Sequence, residues 1–472
     1  MFNLFDIKVF SSEQIAQILN TSPEALKEFE NAYNNCIFDN NSIPDNLFEI
    51  NAKQMANHKA DIIVYDEKTA AIVNKIVKEL IVQTQVYTYS NKKTVIEDYT
   101  HLLKDNSHLV DKKEIMDIPE SIRPQLSGNL MQTDTKGSGN MLVSVFYEYM
   151  NTEDNKKKKH LYDSFRQGLD ILDLDNLTYA MIDKNPNSMG YWLPRITNAV
   201  DAFDFFKIPD TKIIKVPVTL LQLTRMEYES LTRTTLDIVD NYCYEVFGLD
   251  DNKDYFIKTG TYSSKFDFRN AHVMGAKEVH ELGEYLLFIH WQALQMAHFD
   301  LTGRKQPVIY GVSTTTEWVV REFIKDVENN PTIYNGLPLH TEYRVFVDFD
   351  SDIVLGIHNY WDPEVMLNNF SKKAKNGNPE GIHDYITYLS NKDHLVERYE
   401  MNKNTVIKNV QDFIPLVDMH GQWSIDIMQN GDDFYLIDMA VAENSTYYVQ
   451  SVPAELRKPI QENWLPDLVN NT

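Results

Sequence analysis

The stretch Tyr255-Phe-Ile-Lys258-Thr-Gly260-Thr-Tyr-Ser263-Ser264-Lys265-Phe266 decides how this chain is read. An apolar, β-prone run delivers one lysine into a short loop of hydroxyl side chains with a glycine, and a second lysine leads into Phe266-Asp-Phe268, another β-prone run. A strand–loop–strand hairpin of this kind presents ammonium and backbone N–H groups to a polyphosphate. Many hairpins carry lysines, and an exposed strand-end lysine is the plain alternative for Lys258.

Two later segments add weight. In Thr341-Glu342-Tyr-Arg344-Val-Phe-Val, Glu342 and Arg344 are two residues apart on an extended run, so both leave the same face of a sheet while Tyr343 and Val345 occupy the apolar face. A surface cross-strand ion pair is the simple alternative; a planar guanidinium in a cleft would grip phosphate oxygens in pairs. In Trp423-Ser-Ile-Asp426-Ile and Tyr435-Leu-Ile-Asp438-Met, two acids sit within apolar strands separated by Asn430-Gly-Asp-Asp433. A turn there brings Asp426 and Asp438 near one another, and buried like charges tolerate this when a cation lies between them. Mg²⁺ is the expected ion, because it takes carboxylate oxygens together with phosphates. Asp432 and Asp433 read more simply as turn residues.

These three segments, in this order, resemble the ATP-grasp superfamily, which includes D-alanine–D-alanine ligase and glutathione synthetase. The resemblance runs from about residue 200 onward. It implies a two-lobed α+β fold that clamps ATP, and a ligase that joins a carboxylate to an amine through an acyl phosphate. By the same resemblance Lys258 contacts phosphates or adenine, Thr259–Ser264 is the phosphate-covering loop, and Lys215 is the candidate for a further nucleotide lysine. Trp318-Val-Val-Arg321-Glu322-Phe323-Ile324 resembles the strand entering the adenine-reading hinge, so Glu322, Phe323 and Ile324 are candidate base contacts. The family often has an acid where Arg321 stands. Glu342 matches the acid that holds ribose hydroxyls, and Arg344 an arginine near the triphosphate. The family usually places asparagine two positions after the second acid; here that position is Ala440, and Glu443 or Asn444 is expected to supply the missing metal oxygen.

Bulk properties fit this class. At 472 residues, with 43% hydrophobic and 12% aromatic content, the chain has material for two or three packed domains and is not a disordered protein. A net charge of −24 argues against a broad nucleic-acid or anionic-membrane surface, though a nucleotide needs only a few local cations. The two cysteines, Cys36 and Cys243, form no zinc or CxxC pattern, so a reducing cytoplasm is expected. No segment approaches the roughly 20 apolar residues that span a bilayer, and the start has no basic region ahead of an apolar core.

The first third reads as mostly helical. Ser22-Pro23-Glu24 is a helix start, and residues 67 to 82 repeat apolar side chains at helical spacing. Residues 104 to 140 are polar and rich in proline and glycine, and Met141-Leu-Val-Ser-Val-Phe-Tyr is β-prone. The Lys156–Lys159 run reads as an exposed loop, and 185–195 as either a site-lining loop or a packed domain junction. Beyond Pro209, strands are expected at 212–218, 307–312, 317–324, 341–349, 353–358, 423–428 and 433–439. Helices are expected up to Tyr244 and over 275–298. The whole is an α+β chain: an N-terminal, largely helical domain over 1–200 that shapes a substrate or partner site, and an ATP-grasp-like domain over 201–465.

The leading expectation is an ATP- and Mg²⁺-dependent ligase acting on small-molecule or peptide carboxylates and amines. The alternative is an ATP-binding assembly chaperone without ligase turnover, a class with an ATP-grasp-like precedent. Reading Lys258-Thr-Gly as the adenylated lysine of a nucleic-acid ligase fares worse, because Thr259 is neither acid nor amide. The histidines, His272, His280, His290 and His298 among them, show no HxxxH spacing and read as ordinary surface or core residues.

Overall fold

Period-two alternation in the C-terminal strands builds a wall with one apolar and one polar face. The computed structural model describes residues 63–98, 110–126 and, with short breaks, 145–301 and 313–458, besides Ser22 and Glu24. The expected strand at 307–312 lies outside these residues, as do Pro23 of the expected helix start at 22–24 and most of the connection at 104–140 and of the 141–147 run, within which Val145 is helical.

The molecule is α+β. One six-stranded sheet has the order β2-β1-β4-β7-β5-β6, formed by β1 (Gln85–Ser90), β2 (Lys93–Asp98), β4 (Thr211–Lys215), β5 (Tyr255–Thr259), β6 (His272–Val273) and β7 (Glu317–Glu322). A five-stranded sheet has the order β11-β10-β12-β13-β3, formed by β3 (Phe206–Lys207), β10 (Thr341–Asp348), β11 (Ile353–Asn359), β12 (Gln422–Asn430) and β13 (Asp433–Val441). A ribbon of β8 (Thr332–Ile333) and β9 (Leu337–Pro338) stands beside them. Strands β1 and β2 precede residue 200, yet they extend the sheet that carries Lys258.

Helices back both sheets. Helix α1 (Glu67–Val82) starts where Asp66 accepts a hydrogen bond from the Thr69 amide at 2.7 Å. Helix α2 (Met189–Ala202) buries Trp192, Leu193 and Ile196 against residues from both sheets, so the 185–195 stretch forms a packed junction. Helix α3 (Arg233–Phe247) ends on Gly248 at φ 57°, a left-handed stop that glycine adopts without strain. Together with α1 and α4 (Leu282–Leu301) it covers the outer face of the first sheet, over Ile214, Ile257, Trp318 and Val320. Helix α5 (Pro379–Phe413) covers the second sheet with Val406, Val410 and Phe413 against Tyr343, Val345, Ile425 and Ile427. Each such side chain stabilises the fold by about 1.5–3 kcal/mol on burial, which fixes the register of β10 and β12. The alternate residues Glu342, Arg344, Asp426 and Met428 are thereby turned to the opposite face. No described helix is long and apolar enough to cross a membrane.

Two local expectations are corrected. The Lys156–Lys159 run lies in a helix, Asn155–Ile171, not in a loop. The strand after the Lys258 loop is His272–Val273, not 266–268. Asp267 caps a 3₁₀ turn over Phe268–Asn270 and pairs with Arg269 at 2.6 Å, so side-chain-to-backbone bonding overrides β propensity there.

Candidate functional site

The polar face of the second sheet carries a row of charges in register. His358, Arg344, Asp426 and Asp438 lie side by side across β11, β10, β12 and β13. Arg344 holds Asp426 in a two-point bond, Nε to Oδ1 at 2.8 Å and Nη2 to Oδ2 at 2.7 Å. Asp438 reaches this face because of a bulge. Phe434 and Leu436 point into the core, and strict alternation would send residue 438 after them. The ladder slips between Asp426 and Ile427, leaving Ile437 unpaired, so that Met439 and Val441 turn inward and Asp438 turns to the row.

The first sheet supplies cations from the other side. Lys258, buried at the end of β5, donates to Asp438 Oδ2 at 3.1 Å. Arg321, on the neighbouring strand and on the same face, donates through Nη1 to the bulge carbonyl of Ile437 at 2.7 Å and through Nε to Thr211 Oγ1 at 3.1 Å. Its Nη2 is buried with no acceptor among the described residues. Burial lowers the Arg321 pKa to about 10, opposed by Asp438, so the group stays charged at neutral pH. Lys265 donates to the Tyr360 hydroxyl, and its Nζ lies 4.2 Å from that ring's centroid. Burial acts against the Lys265 charge, but Tyr360, Glu342 and Asp426 outweigh it and raise its pKa.

These groups line one cleft between the sheets. Its polar end holds Lys258, Ser263, Lys265, Glu342, Arg344, Asp426 and Asp438. Its apolar end is built by Phe256, Phe268, Phe323, Ile324 and Leu337. Phe323 stacks on His272 at 3.9 Å between centroids. Glu322, exposed, stands at the rim of the same cleft. The hinge after β7 is tied to the second sheet by Asn430, which donates to the Lys325 carbonyl at 2.9 Å and accepts from the Val327 amide at 3.1 Å. Glu342 is buried and its Oε2 has no hydrogen-bond partner among the described residues. Desolvation pushes its carboxyl up to about 7, although Lys265 and Arg344 pull it down.

Four expected site residues stand outside the cleft lining. Lys215 is paired with Asp183 at 2.9 Å. Ser264 is buried at φ 49°, with its hydroxyl on Gln292 at 2.5 Å. Glu443 is paired with Lys159, and Asn444 Oδ1 accepts from Asn187 at 3.0 Å. The loop amides also differ from a phosphate cradle. Those of Thr261 and Tyr262 are taken by Thr259 Oγ1, and that of Gly260 by the Glu317 carbonyl. Tyr360 was not signalled by the sequence, since nothing in the spacing ties it to Lys265, ninety-five positions earlier. On the hinge, Asp326, Glu328 and His340 cluster, but Asp326 stitches its own turn through the Glu328 and Asn330 amides, and Glu328 binds Arg398 at 2.6 Å.

The residues present fit a magnesium–nucleotide complex. Two adjoining carboxylates retain lone pairs beside a cationic wall, and in the same cleft the buried Oε2 of Glu342 and Nη2 of Arg321 have no hydrogen-bond partner among the described residues. No protein-family model matches the chain, and no curated protein matches it. Two solved structures of Cdc123 from Schizosaccharomyces pombe align with it. The C-terminally truncated form matches at 15% identity over 60% of this chain and 95% of its own, with a TM-score of 0.31. The other matches at 16% identity over 58% and 93%, with a TM-score of 0.31.

Proposed function

We propose that the cleft binds ATP with Mg²⁺ and that the chain is a ligase of the ATP-grasp type, joining a carboxylate to an amine. The observation that carries this reading is the meeting of Lys258 from one sheet with the Arg344–Asp426–Asp438 row of the other. Asp426 and Asp438 are the oxygens for Mg²⁺. Lys258, Lys265 and Arg344 neutralise phosphate charge, Glu342 accepts from ribose hydroxyls, and the Phe323–Ile324 end covers the base. When bound, ATP supplies the phosphoryl group that activates the carboxylate. The chain's part is to fix that group and to exclude water between two packed sheets.

One observation favours a second reading, an ATP-binding assembly factor without turnover. Ala440 offers no side-chain oxygen, and Glu443 and Asn444 are held by Lys159 and Asn187, away from the acid pair. The readings separate in an assay of ADP, AMP and phosphate with Mg²⁺, ATP and pools of amino acids, small carboxylates and peptides. The ligase reading expects substrate-dependent ADP and phosphate, falling at least about a hundredfold in Asp438→Ala because an uncompensated phosphate charge costs several kcal/mol. AMP with pyrophosphate contradicts it. Tight ATP binding with no product across the pools supports the assembly factor.

A further inference from the structure

The buried guanidinium of Arg321 is the cleft group least explained by the roles given above. Its plane is fixed, with Nε on Thr211 and Nη1 on the Ile437 carbonyl. The remaining nitrogen, Nη2, is buried and has no acceptor among the described residues. A buried donor left unpaired costs about 1–3 kcal/mol, more when charged, so the position is stable at lower cost when a ligand supplies an acceptor.

Position indicates which part of a ligand that is. Arg321 pairs with Phe256 across β7 and β5, and Lys258 pairs with Val319, so Arg321 and Lys258 project from one face of the sheet. Arg321 lies one step nearer the hinge, between the phosphate-side lysine and the apolar end formed by Phe256, Phe323 and Ile324. The hinge amides of Glu322 and Phe323 are bonded to the carbonyls of Asp210 and Asp254. Glu322, which would be the acid nearest the base, is exposed at the rim.

We propose that Arg321 reads the purine through the ring nitrogen N7. The inference rests on the nucleotide reading of the cleft. An arginine has only N–H groups, so it pairs with a lone pair and cannot accept from an amino group. Of the purine acceptors, N7 lies on the edge that a nucleoside in the common anti conformation turns toward its 5′-phosphates. That is the edge facing back along the sheet to Lys258.

The test compares equilibrium binding of ATP, 7-deaza-ATP and ITP to the full chain with Mg²⁺. Replacing N7 by C–H is expected to weaken binding at least about tenfold, the loss of one charge-assisted hydrogen bond. ITP, which keeps N7, is expected to lose less affinity than 7-deaza-ATP. In Arg321→Met, the difference between ATP and 7-deaza-ATP should vanish, with thermal melting of the free protein checking that the variant is folded. Equal binding of ATP and 7-deaza-ATP to wild type overturns the proposal, as does a greater loss with ITP than with 7-deaza-ATP. The comparison on wild type stands even if the variant unfolds. Failure of all three nucleotides to bind overturns instead the nucleotide reading on which the inference rests.

Discussion

At the scale of single residues, the cleft and its foundations hold carboxyls that burial has shifted. Glu317 lies beneath the Lys258 loop, accepting from the Gly190 amide at 2.8 Å. Desolvation raises its pKa from 4.5 to about 7, opposed by Lys215 and by the Gly190 amide. Between those two pH values the folded chain keeps a proton that the unfolded chain has lost. Stability contributed by this group is therefore full below about pH 4.5 and falls as pH rises to about 7, by on the order of 3 kcal/mol. Glu317→Gln keeps an acceptor for Gly190 but cannot ionise, so its unfolding free energy in urea should decline less than that of wild type between pH 5 and 7.5. Parallel pH dependence of the two proteins would contradict this. Of the residues singled out from the sequence, Lys258, Ser263, Glu322, Phe323, Ile324, Glu342, Arg344, Asp426 and Asp438 share one cleft. Lys215, Ser264, Glu443 and Asn444 do not line it, because each found a nearer partner that no spacing in the chain reveals.

At the scale of elements, short β-prone apolar runs made β4, β5, β7 and β10–β13 legible, with a period of two clear in β10 and β12. The bulge at Ile437 was not legible. An alternating pattern that breaks by one residue reads as noise until the partner strand is present, yet it is what turns Asp438 to the cleft. The strand expected at 266–268 failed for a related reason, because Asp267 bonds locally before the sheet can recruit the segment. The Lys258 loop is held as tightly as a strand. A Cβ on Gly260 would lie 2.5 Å from Thr315 Oγ1 and 2.7 Å from a Glu317 carboxylate oxygen. Gly260→Ala should therefore destabilise the protein by about 1–3 kcal/mol and displace the loop that carries Ser263. A lowered melting temperature with weakened ATP binding is the expected result; unchanged melting would show that the loop has room to spare.

At the scale of the whole molecule, two sheets that share a hydrophobic core around α2 meet across a cleft spanned by Lys258–Asp438, Arg321–Ile437 and Lys265–Tyr360. In a chain of net charge −24, this cleft sets Lys258, Lys265, Arg321 and Arg344 against Glu322, Glu342, Asp426 and Asp438, a local balance of charge rather than an acidic excess. The two-sheet α+β plan was readable from the order of the three signature segments. The entry of β1 and β2 into the first sheet was not, since pairing with β4, more than a hundred residues later, leaves no mark in either segment. The most direct test of the central claim is calorimetric titration of the full chain with ATP, with and without Mg²⁺, alongside Asp438→Ala. The account predicts saturable binding at one site, strengthened by Mg²⁺ and weakened at least about thirtyfold, or about 2 kcal/mol, by the substitution. Absence of binding, or binding indifferent to both Mg²⁺ and Asp438, would contradict it.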